Sequence, residues 1–265
     1  MKIKHLQLNT SVLKNPEGIR NFVRSEDFDI CNFQELVYYS DSPCVLHKIA
    51  SELGLTFVEA INYTLMDDET KPVRISSCGI LTKFRVIDFQ IYYCNTLDDK
   101  PKHLIANDLI NDNSIITSFP ASRGVKHSKK SRAILRCVLD TGDKIISDIT
   151  CQFNVSDLCI ETTQILEMAE KVASIVRNTS TIPTIFGGDI NIRLQSYSGT
   201  VLKSIMQCHS EHFVDTLAPD HIAHKDFPDG LAVDHVFSVG MKLDSIQAVD
   251  KGLSDHLAIV SQFEV

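Results

Sequence analysis

Five short segments of the sequence set, next to an apolar run, residues that can hold a metal ion, a water or a phosphate oxygen. Asn9 follows "HLQL", and Gln34 with Glu35 closes "DICNFQE". Asp189 and Asn191 follow "IPTIFGG", Asp234 opens "DHVFSV", and Asp255 with His256 precedes "LAIV". Singly, each has an ordinary reading: Gln-Glu as a helix start or loop, Gly-Gly-Asp as turn chemistry, Ser-Asp-His as a cap. Together they suit one chemistry. A hard divalent cation such as Mg²⁺ takes oxygen ligands, binding through one or two carboxylates and substrate phosphate. Phosphoester hydrolysis further needs a water held in line, a group to draw off its proton, and charge stabilisation at the phosphoryl oxygens. Carboxylates, amides and an imidazole on strand tips can provide all of these. The Gly187-Gly188 pair is expected to bend the backbone sharply, pointing Asp189 and Asn191 into one site with Ile190 packed behind them.

Such tips need strands and helices to carry them. Asn15 reads as the cap and Pro16 as the first residue of a helix whose Ile19, Phe22 and Val23 share a face. Ser42 and Pro43 repeat the device before Leu46, Ile49, Ala50 and Leu53, with Gly54 as the stop. The longest helix is expected near residues 159–177, where Ile165, Met168, Ala169, Val172 and Val176 recur at helical spacing. Strand candidates are "FDICNF", "CGILTKF", "AILRCVL", "KIISDIT", "TIPTIF", "DHVFSV" and "LAIVSQFEV". Their irregular mixture with helices predicts an α+β protein on packed sheets, in one domain over residues 1–265. The sequence has no Gly-x-Gly-x-x-Gly or Walker-type loop, which removes dinucleotide and P-loop readings.

Composition narrows the class further. Of 265 residues, 43% are apolar and 23% charged, the profile of an ordinary globular chain. No apolar run reaches the roughly 20 residues of a membrane helix, and the start lacks a signal-peptide core, so a cytoplasmic location is expected. The 8 cysteines include no Cys-x-x-Cys pair and mostly sit in apolar contexts, as reduced core residues would. A net charge of −8 argues against wholesale wrapping by nucleic acid. Arg123, Lys126, Lys129, Lys130, Arg132 and Arg136 nevertheless cluster. That stretch is either a solvated loop or a phosphate-facing patch, with Arg123, Lys130 and Arg132 the candidates for substrate contact.

The ordered set Asn9, "FQEL", "GGDIN", "VDHVF" and "LSDHLAI" resembles the endonuclease/exonuclease/phosphatase superfamily of metal-dependent phosphoesterases. The likeness runs from Asn9 to the last strand, and "SSCGILTKFRVID" and "EHFVDT" are similar to further parts of the family pattern. The resemblance implies a four-layer α-β-β-α sandwich of two packed, mainly antiparallel sheets flanked by helices, with the site at one end. It implies Mg²⁺, with Mn²⁺ as an alternative, on Glu35, Asn9 and Asp255. Asp189 would orient or deprotonate the attacking water and Asn191 would contact the phosphate. His256 would bind or protonate phosphate oxygens with Asp234 as its partner, and Gln34 would support the site from behind.

One departure stands out. The family usually carries a second histidine in a Thr-His-Leu-like element before the long helix, and "IISDITCQFNVSD" has none. Gln152 takes that place, or Cys151 after a one-residue slip. A glutamine donates a hydrogen bond without a charge, so Gln152→His is expected to raise turnover if position 152 faces the phosphate. Tyr92 and Tyr93 fall where some members use a tyrosine. His221 and His224 have metal-pair spacing but read as a surface loop, and Asp67, Asp68 and Glu69 as a solvated turn. Three functions follow: a nuclease or phosphodiesterase on nucleic acid, a phosphatase or phosphodiesterase on a small molecule or lipid headgroup, and a binding protein that has lost turnover.

Overall fold

The computed structural model describes residues 1–66, 71–94, 96, 100–105 and 130–265. Asp67, Asp68, Glu69 and Arg123 lie outside the described residues. Among the described residues, thirteen strands form two sheets. They are β1 (Lys2–Asn9), β2 (Ile30–Tyr39), β3 (Thr56–Met66), β4 (Arg74–Thr82), β5 (Arg85–Cys94), β6 (Lys102–Ile105) and β7 (Arg132–Asp140). The rest are β8 (Ile145–Gln152), β9 (Thr184–Asp189), β10 (Gln207–Cys208), β11 (Asp234–Val239), β12 (Lys242–Val249) and β13 (Ala258–Glu264). One sheet has the order β12-β13-β1-β2-β4-β3-β6, the other β10-β11-β9-β8-β7-β5. Pairing is antiparallel except at β1–β2, β3–β6 and β8–β9.

Helices α1 (Pro16–Glu26) and α2 (Val45–Leu53) cover the outer face of the first sheet, burying Ile19, Phe22, Leu46 and Ile49 against Leu6, Leu8 and Phe33. Helix α3 (Thr163–Asn178) covers the second sheet with Ile165, Met168, Ala169, Val172 and Val176 against Ile149, Phe186 and Phe237; the short α4 (Tyr197–Lys203) adds Leu202. Between the sheets lie Ile3, Ile30, Leu135, Ile185 and Phe263. Each such side chain taken fully from water contributes about 1.5–3 kcal/mol. The expected four-layer sandwich is therefore present.

Local starts differ in instructive ways. Asn15 caps α1, accepting from the Gly18 N–H, with Pro16 first, as expected. Helix α2 begins at Val45, not after a Ser42 cap, because the extended Cys44 (ψ 128°) is buried in the helix-side core and holds the cap position without a side-chain bond. Helix α3 begins at Thr163, not near 159, since Leu158 and Cys159 are left-handed and Thr162 caps the Ile165 N–H. Strands β3, β5 and β12 do not stand out in the sequence because β3 is mostly half-buried and β5 and β12 carry several exposed residues, so none presents a clean apolar run.

The layer between the sheets changes character along its length. Alternate residues of β1 face inward as Ile3, His5, Gln7 and Asn9, and those of β8 as Ile146, Asp148, Thr150 and Gln152. Strands β2 and β9 follow suit with Ile30, Asn32 and Gln34, and with Ile185, Gly187 and Asp189. Apolar packing at one end thus gives way to a ladder of amides and carboxylates at the other. The expected bend at Gly187-Gly188 is absent: both lie within β9, and neither has a positive φ. They serve close approach. A Cβ on Gly187 would meet Asn32 Nδ2 and His5 Cε1 at 2.9 Å, and one on Gly188 the Cys151 carbonyl oxygen at 2.7 Å.

Candidate active site

Register delivers the site. Asn9 pairs with Gln34 across β1–β2, and Asp189 pairs with both Gln152 and Asp234 across β9. Asp255 and His256 sit just before β13, beside β1. At β2, Phe33 opposes Gly79 and Leu36 opposes Ser77, so Gln34 and Glu35 form a bulge with Glu35 at φ 53°. A left-handed glutamate costs on the order of 1–3 kcal/mol, and bulges re-aim side chains beside functional sites.

Asp189 is the hub. Its Oδ2 accepts from Asn9 Nδ2 at 2.9 Å, Asn191 Nδ2 at 3.1 Å and Gln152 Nε2 at 3.2 Å; its Oδ1 accepts the Asn191 N–H at 3.0 Å. Gln152 Nε2 also donates to Glu35 Oε1 at 2.6 Å, tying the two carboxylates together. Burial, then the charges of Asp234 and Glu35, push Asp189 up to about 7.

His256 donates from Nδ1 to Asp234 Oδ2 at 2.6 Å. Asp234 is held in turn by Thr216 Oγ1 at 3.2 Å and Gln7 Nε2 at 3.4 Å, and Gln7 exchanges hydrogen bonds with Gln34. Burial alone would lower the His256 imidazole. The charge and hydrogen bond of Asp234, with Asp189 and Glu35 beyond, instead raise it to about 10 and keep it protonated at neutral pH.

No family model matches the sequence, and no curated protein is detectably similar to it. Solved structures are similar over the whole chain. An endonuclease/exonuclease/phosphatase family protein from Leptotrichia buccalis superposes with a TM-score of 0.70 at 12% identity, covering 99% of this chain and 100% of that one. The fold is that of the endonuclease/exonuclease/phosphatase superfamily. The human Nocturnin catalytic domain, solved with a bound sulfate anion, gives 0.67 at 13% over 99% and 93% of the two chains. A mannosyl-6-phosphatase from Bacteroides thetaiotaomicron gives 0.63 at 14% over 99% and 100%.

Within this endonuclease/exonuclease/phosphatase fold, the sequence-derived residues fall out as follows. Asn9, Glu35, Gln152, Asp189, Asn191, Asp234, Asp255 and His256 all reach one end of the inter-sheet layer. Gln152 faces the site, whereas Cys151 is buried in the α3-side core. Both Gln152 amide hydrogens point at carboxylates, and its Oε1 accepts from Arg132 at 2.7 Å. Asn191, left-handed at φ 53°, spends its amide on Asp189 and the Phe153 carbonyl, so it braces Asp189 instead of presenting a free donor to phosphate. Arg132 is not on a surface patch: it is 5% exposed and also donates to Asn154, so it reaches the site only through Gln152. Arg136 is equally buried, donating to Ser147. The Lys130 ammonium lies 5.4 Å over the Tyr63 ring. Tyr92 hydrogen-bonds Gln90, and Tyr93 packs against the inter-sheet core.

Sequence reasoning missed His221. Expected on a surface loop, it packs its ring 5.4 Å from His256 and brings Nε2 to 3.8 Å from Asp255 Oδ2. Its partner His224 instead hydrogen-bonds Asp215. Only the "DHIAH" spacing marked the residue, because a backbone bridge between Leu217 and His256 sets its position.

The donors fit a hard divalent cation. Glu35, Asp255 and Asn9 offer oxygens, and among the described residues two groups lie close enough to hold an ion, Asp189 with Asp234 and His256, and His221 with Asp255 and His256. Glu35 accepts one hydrogen bond, at Oε1, among the described residues, and Asp255 accepts a long one from Ser254 at 3.4 Å. Burial first, and then the charges of Asp234 and Glu35, hold Asp189 up, and a cation beside these groups would offset both.

Proposed function

We propose that this chain is a divalent-metal-dependent phosphoester hydrolase. The observation that carries the reading is the convergence on Asp189 of Asn9, Gln152 and Asn191, with Gln152 shared by Glu35 and the His256–Asp234 pair alongside. Glu35, Asn9 and Asp255 would hold Mg²⁺, or Mn²⁺ in its place, which supplies positive charge for the phosphoryl oxygens. Asp189, aligned by three amide donors, orients the attacking water and takes its proton. Near pH 7 it stands close to the balance a general base requires. His256, held charged and oriented by Asp234, offers Nε2 to a phosphate oxygen.

Nucleic acid is the substrate that the basic segment favours. With Arg132 and Arg136 buried, that support narrows to Lys130 and the residues before it. The same burial favours a second reading, a small phosphoester. A cleavage panel of single- and double-stranded DNA, RNA and small phosphoesters, each with Mg²⁺ and with chelator, decides between them. The expected result is chelator-sensitive cleavage lost in Asp189→Ala and His256→Ala. Silence on every ester under every divalent metal would leave a binding protein on this fold.

A further inference from the structure

We propose that His221 is a second imidazole donor to the substrate phosphate, beside His256. The inference rests on the phosphoesterase reading and deepens it. It starts from a shortage of donors. The two hydrogens of Gln152 Nε2 go to Glu35 at 2.6 Å and Asp189 at 3.2 Å. Those of Asn191 Nδ2 go to the Phe153 carbonyl and Asp189, both at 3.1 Å. Arg132 is buried behind Gln152. Of the site donors considered among the described residues, apart from the second amide hydrogen of Asn9, that leaves His256 Nε2, a thin set for a phosphoryl group carrying several negative oxygens.

His221 is built into the site, not draped near it. The Leu217–His256 bridge, the Ala218 N–H to Asp255 carbonyl bond (2.8 Å) and the Leu257 N–H to Thr216 carbonyl bond (2.8 Å) sew its segment to the metal and phosphate residues. His224 fastens the far side through Asp215 at 2.9 Å, and Asp215 also accepts the Leu217 and Leu231 N–H groups. The His221 and His256 rings meet edge to face at 81°, and their Nε2 atoms flank the Asp255 carboxylate at 3.8 and 4.0 Å. The His221 side chain is 17% exposed, so the ring is not sealed from solvent.

One hydrogen bond fixes what this imidazole can do. His221 Nδ1 accepts the Ala223 N–H at 3.0 Å, so in the neutral ring the hydrogen is on Nε2. That makes Nε2 a donor. It also rules against metal ligation, which needs a lone pair there, although His221, Asp255 and His256 lie close enough together to hold an ion.

The test pairs His221→Ala with His221→Gln, whose amide returns an N–H at similar reach, after thermal melts confirm that both fold. Calorimetry with inorganic phosphate and Mg²⁺ measures oxyanion binding, and electron paramagnetic resonance measures Mn²⁺ binding. For His221→Ala, phosphate affinity should fall ~10-fold or more and kcat/KM on a cleaved ester ~10–100-fold, with Mn²⁺ affinity unchanged. His221→Gln should recover most of both losses. A His221→Ala protein that binds phosphate as the parent does, or that loses Mn²⁺ affinity, overturns the inference and leaves the phosphoesterase reading intact. A parent protein that neither binds phosphate nor cleaves an ester overturns both.

Discussion

Two histidine–aspartate pairs lie in the same layer between the sheets, and their imidazoles are pushed in opposite directions. His5 and Asp148 sit midway, fully buried, with Nε2 3.9 Å from Oδ1. Burial pushes His5 down to about 3 and Asp148 well above its ordinary value, disfavouring the charged form of each. His256 and Asp234 stand at the polar end in a 2.6 Å hydrogen bond, with Asp189 and Glu35 nearby, and His256 is raised to about 10. Burial opposes charge in both places. Only a made hydrogen bond with further carboxylates behind it outweighs that cost. Residue type therefore does not decide whether such a pair is packing or chemistry; contact and surrounding charge do.

Neutralising each aspartate in turn is the strongest way to break the comparison. Asp234→Asn should cut kcat/KM on a cleaved phosphoester by ~10²–10³-fold, because the imidazolium loses both its orienter and its counter-charge. Asp148 accepts from Asn32 midway along the layer, away from the strand-end residues, and burial disfavours its charge, so Asp148→Asn should leave activity within ~2-fold and stability within ~1 kcal/mol. Equal losses in steady-state kinetics would mean the buried pair takes part in the reaction. A smaller effect is expected at the neighbouring tip. Gln152→His should lower turnover ~10-fold, not raise it, since an imidazole there faces the buried Arg132 guanidinium and releases Glu35 from Asp189. Turnover above the parent's would show that position 152 does face the phosphate.

The mildest test uses pH and the metal-free protein. The folded Asp189 holds its proton up to about 7 and the unfolded one only to 3.8, so its contribution falls as pH rises through that window. His256 has the same sign higher up: the stability from its charge is complete below 6.5 and is lost as pH rises through about 10. Melting temperature in chelator should therefore drop by several degrees between pH 5 and pH 9. Added Mg²⁺ should restore more at pH 9 than at pH 5. A flat profile, with no extra gain from Mg²⁺ at high pH, would show that the carboxylates do not crowd one point.

Much of this was legible in the chain because it depends on local order. Asn15 and Pro16 announce α1 through capping that involves a few adjacent residues. Asn9, Glu35, Asp189 and Asp255 stand out as polar residues bounding apolar runs, although Glu35 does not end its strand but sits at the bulge inside β2. Long-range packing hid the rest. Gly187 reads as a turn residue, yet it is glycine because Asn32 and His5 press on it from the opposite sheet. Arg132 reads as part of a basic surface stretch, yet β7 carries it inside.

By itself the sequence determined which residue types the strand ends present and which helix faces are apolar, since both follow from periodicity along the chain. Only the tertiary structure decided which donors are already spent, which of two imidazoles is raised and which lowered, and that His221 packs against His256. Those outcomes depend on distances between atoms remote in sequence, and on burial that no local window contains.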